Sequence, residues 1–349
     1  MRQGIGILAI GVLALTAAVS ALGQAPAAAK GSQKVSAKAA AAKKSVTPRT
    51  PWGDPDLQGV WNDATSTPLQ RPSEVGEKDV LNDDEAAEFR EQLAGNLSRD
   101  RRDGDAEVDV NRAYNEHWMD SRRLKITADH RTSLIVDPPN GRIPPLVPLQ
   151  PERDQRKAAR AAANARVNAG LPENFSDFTL PVRCIIRTDS PPYLPLVYNN
   201  NFHIFQSPGY VVIGPEMIHS ARIIPLDGRP HLGKNLRQWL GDSRGHWEGD
   251  TLVVETTNFR PDDGVVFLDA DPDTFRITER FIRIDATTLN YEFTVQDPKT
   301  WTRPWTVRIP WSRIDPEEQI YEYACHEDNY DMVHFLMGAR TREKKEETK

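Results

Sequence analysis

Cysteine is scarce: it occurs twice in 349 residues, and the two residues form no CxxC pair. Histidines fall in no HExxH or HxH spacing, so no metal site is expected. No P-loop and no GxGxxG run occurs, so nucleotide cofactors have no support in the sequence, and no cofactor is expected. Positive charge is not in excess. The formal net charge is −6 and the pI about 5.8, which excludes the basic footprint of a nucleic-acid binder. Beyond the first 25 residues no apolar run reaches the length of a bilayer span, so no membrane span is expected in the mature chain.

The N-terminus carries an address. Arg2 precedes the apolar run Ile5 to Ala18, and small residues follow at Val19-Ser20-Ala21 and Gly23-Gln24-Ala25. Residues 1–25 read as a secretory signal peptide, and a periplasmic or secreted location is expected. A membrane anchor is the alternative, but the run is short for one. Residues 26–50 are mostly Ala, Lys, Ser and Thr without an acid until Asp54, and read as a disordered basic tether. About 300 residues then remain, enough for one large domain with its own core. In an exported chain Cys184 and Cys325 are expected to form a disulfide, with two buried free thiols as the alternative.

Residues 51–200 mix short helical and extended patterns. Asn82 or Asp83 caps a helix whose first turns hold Asp84, Glu85 and Glu88. Ser98 to Asp105 is a charged run, and Tyr114 and Trp118 stand at helical spacing. Gln150 to Asn168 is rich in Ala and Arg and reads as a surface helix. From Phe202 the pattern changes to period two. Strands are expected at 202–206, 210–214, 217–224, 251–258, 275–284, 289–296, 305–312 and 319–324. Leu289, Tyr291, Phe293 and Val295 share one face, as do Trp305, Val307, Ile309 and Trp311. The fold class is therefore mainly β: an antiparallel meander over residues 201–340, barrel-like, with a β-sandwich as the alternative. A few N-terminal helices pack outside it, and residues 341–349 form a charged tail.

Five blocks carry a resemblance. They are SLIVDPPNGRIPPL, YNNNFHIFQSPGYVVIGPEMIHSARIIPLDGRPHL, RQWLGDSRGHWEGDTLVVETTNF, ITERFIRIDATTLNYEFTVQDPKTWTRPW and YEYACHEDNY. Over residues 51–340 the chain resembles a large group of uncharacterised secreted bacterial proteins, mostly from soil organisms. The resemblance implies a single exported module and transfers no catalytic residue. Gly59-Val60-Trp61 is similar to the Gly-x-Trp that opens lipocalin-type barrels, a weaker likeness.

Polar residues on apolar faces mark where chemistry would sit. Glu279 shares a face with Phe275, Ile277 and Phe281. If that face is inward, Glu279 is desolvated, as a general acid or base requires; a buried ion pair with an arginine is the alternative. His219 shares a face with Met217, Ala221 and Ile223, leaving Arg222 on the opposite one. A satisfied core histidine is the alternative there. Between Asp227-Gly228 and Thr251 the meander is interrupted by a long excursion. Its residues Trp239, Asp242, Arg244, His246 and Trp247 are candidates for the rim of a ligand pocket. The competing reading is a structural turn with a local Asp242–Arg244 pair.

The leading expectation is an exported protein that binds a small molecule or a carbohydrate-like ligand. A hydrolase or lyase with Glu279 and His219 as acid and base, and Arg222 or Arg244 stabilising an anion, is the second. A structural or surface-interaction protein is the third. A deep apolar cavity favours the first, convergence of Glu279 and His219 the second, and a filled interior the third.

Overall fold

The computed structural model describes residues 47–97, 120, 125–148, 151–187, 189–218, 220–261, 267–315, 317–318 and 320–348. The signal-peptide segment, the tether before Thr47, the charged run from Ser98, Tyr114, Trp118 and His219 lie outside the described residues.

Period two produces the sheet. The strands are β1 (Gly59–Asn62), β2 (Ile135–Asp137), β3 (Asn201–Ser207), β4 (Tyr210–Pro215) and β5 (Arg222–Pro225), then β6 (Asp242–Glu248), β7 (Thr251–Thr257), β8 (Arg276–Arg283), β9 (Thr288–Gln296) and β10 (Trp305–Arg313). They form one sheet in the order β5-β4-β3-β1-β10-β9-β8-β7-β6, with β2 paired to β10 off that path. Every named strand pair is antiparallel. The order is an up-and-down meander that curls until β1 lies between β3 and β10, so the barrel is nearly closed. The seam runs between β5 and β6, where the chain makes its long excursion. The four-residue strand β1 comes from the N-terminal part, so residues 51–200 contribute to the barrel itself.

The inward faces are those that alternation indicates. Leu289, Tyr291, Phe293 and Val295 are buried, and so are Trp305, Val307, Ile309 and Trp311. Their rings fill the centre: Trp311 stacks on Phe202 at 4.5 Å and packs on Tyr291 at 4.9 Å, and Tyr291 meets Phe281 at 4.9 Å. Trp61 lies at the start of the meander. Its Nε1 donates to Leu57 O at 2.9 Å, and the guanidiniums of Arg283 and Arg313 each lie 5.7 Å from its ring.

At the seam, packing replaces hydrogen bonds. A Cβ on Gly245 of β6 would come within 2.7 Å of Leu226 and 2.8 Å of Ile224. Gly245→Val is expected to cost about 1–3 kcal/mol through overpacking, read as a lower urea midpoint. An unchanged midpoint would mean that the seam is loose.

Three expectations about strands need correction. Asp242 to Glu248 is strand β6 and not a loop. Residues 320–324 form no strand. The run 217–224 is not one strand: only Arg222–Pro225 pairs, and its parity is opposite to expectation. Arg222 is 2% exposed and points inward, whereas Ile223 is 62% exposed and points outward. An inward arginine is tolerated because a carboxylate meets it.

Three α-helices occur among the described residues: α1 (Asp83–Leu97), α2 (Pro151–Asn168) and α3 (Asp331–Glu347). Asn82 and Glu85 cap α1 reciprocally, each side chain accepting from the other's backbone N–H at 3.0 Å. The helices are not all N-terminal, since α3 takes up most of the expected charged tail. Cys184 and Cys325 are disulfide-bonded, with Cα atoms 5.7 Å apart, and this joins the segment before α3 to residues 176–187.

Candidate functional site

The barrel centre holds an ion pair. Glu279 on β8 has no exposed surface and accepts from Arg222 Nη1 at 2.8 Å and Nη2 at 3.2 Å. Tyr291 donates to it at 2.8 Å, and Thr256 at 3.5 Å. Ser243 and Thr256 share a hydrogen bond at 3.0 Å on the β6–β7 ladder. The Arg222 guanidinium also lies 5.2 Å from the Tyr193 ring.

Electrostatics holds the Arg222 and Tyr291 side chains in their protonated forms. Burial works against the Arg222 cation, but Glu279 together with Tyr193 and Tyr291 more than offsets it, and the arginine is held charged. Burial, reinforced by Glu279, raises the Tyr291 phenol well above its ordinary value, so it stays a donor. Burial likewise raises Tyr193. Both carboxylate oxygens of Glu279 are hydrogen-bonded and away from solvent. The geometry is that of a structural ion pair closing a barrel, with the alternative for Glu279 realised.

The excursion residues do not converge on one pocket. On β6, Asp242, Arg244, His246 and Glu248 face outward, while Ser243, Gly245 and Trp247 face inward. Trp239 precedes β6, and Trp247 lies near its far end, about five residue rises or ~17 Å along the strand from Asp242. Trp239 packs at the edge of the core under the Arg260 guanidinium, 4.3 Å from its ring. His246 is exposed and pairs with Glu248 at 3.2 Å.

Asp242 instead pins the excursion. It is buried, 2.8 Å from Nδ1 of His231, 2.7 Å from Arg244 Nη1, and accepts from the Leu232 N–H at 2.9 Å. Arg244 donates in turn to Pro230 O at 3.1 Å. His231 was not legible as a partner, because no spacing relates it to Asp242. The only signal was its place in an excursion that must fold back on β6.

A groove with room for a ligand lies outside the barrel. It has a volume of about 600 Å3 between α2 and residues 176–183. Helix α2 has no fully buried residue. Its half-buried positions are Arg153, Arg156, Arg160, Ala163, Arg166 and Val167, spaced three and four apart, so they form one face. That face turns toward the body and is mostly arginine.

The C-terminal end of α2 is anchored. Arg166 pairs with Asp177 through Nε at 3.1 Å and through Nη2, and Asp177 also accepts from the Glu173 N–H at 2.7 Å. Arg342 of α3 donates to Ala169 O at 3.1 Å, a cation at the negative end of the helix dipole. Gly170 there has φ +69°, and a Cβ on it would run into the Arg342 guanidinium. Arg340 donates to Glu173 O at 3.1 Å and Pro172 O at 3.0 Å, and Phe335 meets Phe178 edge-on at 6.0 Å.

Asp177 makes the groove sensitive to acid. The hydrogen bonds from Arg166 hold its carboxyl below the ordinary value. A lowered folded pKa contributes stability that is complete above about pH 4 and disappears as pH falls through the lowered value. Asp177→Asn is expected to reproduce the acid effect at neutral pH: amide protection in α2 falls while β8–β10 are unchanged. Equal protection of α2 in both proteins would remove this bridge from the account.

No family model, curated protein or solved structure matches the chain, so the family resemblance rests on its five sequence blocks alone.

Proposed function

We propose that this is an exported small-molecule-binding protein whose site is the groove between α2 and residues 176–183. The observation that carries the reading is the groove itself. Its volume of about 600 Å3 lies in the range of small-molecule sites. Apolar side chains of Phe178, Leu180 and Pro181 line it beside polar Asn164, Ser176 and Thr179. The barrel behaves as the scaffold, since rings occupy its centre and its buried charges are paired.

Export belongs to the same reading. It is supported by the signal-peptide pattern, by the resemblance to secreted proteins, and by a disulfide, which persists in oxidising compartments. No described helix is long and apolar enough to cross a membrane.

The test is a thermal-shift screen of the mature chain against sugars, organic acids and lipids, repeated on Ala163→Trp, which fills the groove. A stabilising ligand whose shift disappears in the variant is expected. A shift that survives the variant would put binding elsewhere, and no shift from any class would overturn the reading.

A surface-interaction protein is the second reading. It is favoured by the exposed Tyr330, Val333, Phe335 and Met337 on and beside α3.

A further inference from the structure

We propose that this chain pairs with a second copy of itself through α3, the two helices lying antiparallel about a two-fold axis at Val333 and Met337. The pairing goes beyond the groove: it takes the residues behind the surface-interaction reading and assigns their partner.

A helix with apolar residues all round its circumference is ordinarily covered on every side. Helix α3 begins DMVHFLMG, and the body covers only part of that run. Met332, Leu336 and Ala339 form the sheltered side, and Phe335 meets Phe178 edge-on beside it. Tyr330, Val333 and Met337 stand three and four residues apart and form a separate stripe, each between 45% and 63% exposed.

Charge is divided along the same helix. Lys344 continues the stripe seven residues beyond Met337, with Lys345 beside it. Glu322 and Glu327 precede the helix and line a concavity of about 460 Å3 with Val182 and Tyr323. None of these four charges makes a salt bridge among the described residues. Lys344 lies nine residues after Phe335 and Glu327 eight before it. A two-fold axis at that level therefore carries each helix's lysines to the other's carboxylates. Opposed helix dipoles favour the same arrangement, whereas a parallel pair would set lysine against lysine. The same patch serves both copies, as a two-fold contact requires. The stripe is small beside the ~800 Å2 that each partner of a stable complex buries, so the dimer is weak and concentration-dependent.

The experiment is sedimentation equilibrium of the full mature protein at rising concentration, at low and high salt. A monomer–dimer equilibrium that salt weakens is expected. Val333→Glu/Met337→Glu sets like charges against each other at the axis and should weaken association at least about tenfold. Lys344→Glu/Lys345→Glu should weaken it severalfold, and adding Glu322→Lys/Glu327→Lys to that variant should restore it. All six positions are exposed or half-exposed, so helix content by circular dichroism should be unchanged. A monomer up to about 1 mM would overturn the pairing, and one that instead sediments with phosphatidylglycerol vesicles would give the stripe to a lipid surface. A dimer that survives Val333→Glu/Met337→Glu would overturn it by placing the contact elsewhere. Failure of the charge reversal to restore association would overturn the antiparallel register. Ligand shifts in the groove are read separately, so the binding reading stands or falls without this result.

Discussion

Replacing Glu279 with glutamine is expected to cost about 3–5 kcal/mol of stability, because it strands the Arg222 cation inside the barrel. The replacement keeps the shape of the side chain and removes only its charge. Arg222→Met is expected to cost a similar amount by leaving the carboxylate unpaired, with Tyr291 its remaining strong donor. The double variant Arg222→Met/Glu279→Leu removes both charges, and most of the loss should return, as it does when buried ion pairs are exchanged for apolar residues. Urea unfolding of the four proteins measures the cycle. Single variants within about 1 kcal/mol of wild type, the ordinary range for exposed pairs, would show that water reaches the pair. That result would reopen Glu279 as an acid or base.

Loss of the Cys184–Cys325 disulfide is the second large effect. The bridge spans a sequence separation of 141. Closing a loop of that size constrains the unfolded chain by up to about 5 kcal/mol in the chain-entropy model. Its native-state role is local. Helix α3 has only Ala339 buried, so its attachment depends on the bridge, on Asn329 donating to Val182 O at 3.2 Å, and on Arg340 and Arg342. Cys184→Ser/Cys325→Ser is expected to lower the urea midpoint and to make the chain between the barrel and α3 the first site of limited proteolysis. Cleavage at barrel loops first, with α3 still protected, would contradict that local role.

The two effects separate what the sequence made legible from what it did not. The inward faces of β9 and β10 could be read because each strand is buried on one side only, and Tyr291 and Trp311 alternate with polar residues. The disulfide could be read because the chain holds no other cysteine to compete. Strand β6 was read as a loop because glycines 241, 245 and 249 resemble turn signals. At the seam, however, Gly245 is a strand residue whose missing Cβ lets Ile224 and Leu226 close the barrel. The parity of β5 was missed for a long-range reason. An inward Arg222 is allowed only by Glu279, 57 residues away, and no local pattern announces that partner.

The candidate site was the least legible part. Alternation drew attention to Glu279, which is paired inside the barrel, and to His219, which lies outside the described residues; of the excursion's candidates, Asp242 pins the excursion outside the barrel. The groove arises differently. It depends on a helix turning arginines inward and on Arg340 and Arg342 holding the turn at 169–173 from another part of the chain. In sequence, Gln150 to Asn168 shows only Ala and Arg on a surface helix, and which side of it faces the body is decided by those distant contacts.

The most direct test of the account is a map of backbone amide shifts in the isotope-labelled mature protein during titration with the ligand that stabilises it most in the thermal-shift screen. The account predicts perturbations concentrated at Ala159–Arg166 on α2 and at residues 176–183, with β8 and β9 unmoved. Perturbations concentrated around Arg222, Ser243, Glu279 and Tyr291 would contradict it, because they would place the ligand inside the barrel.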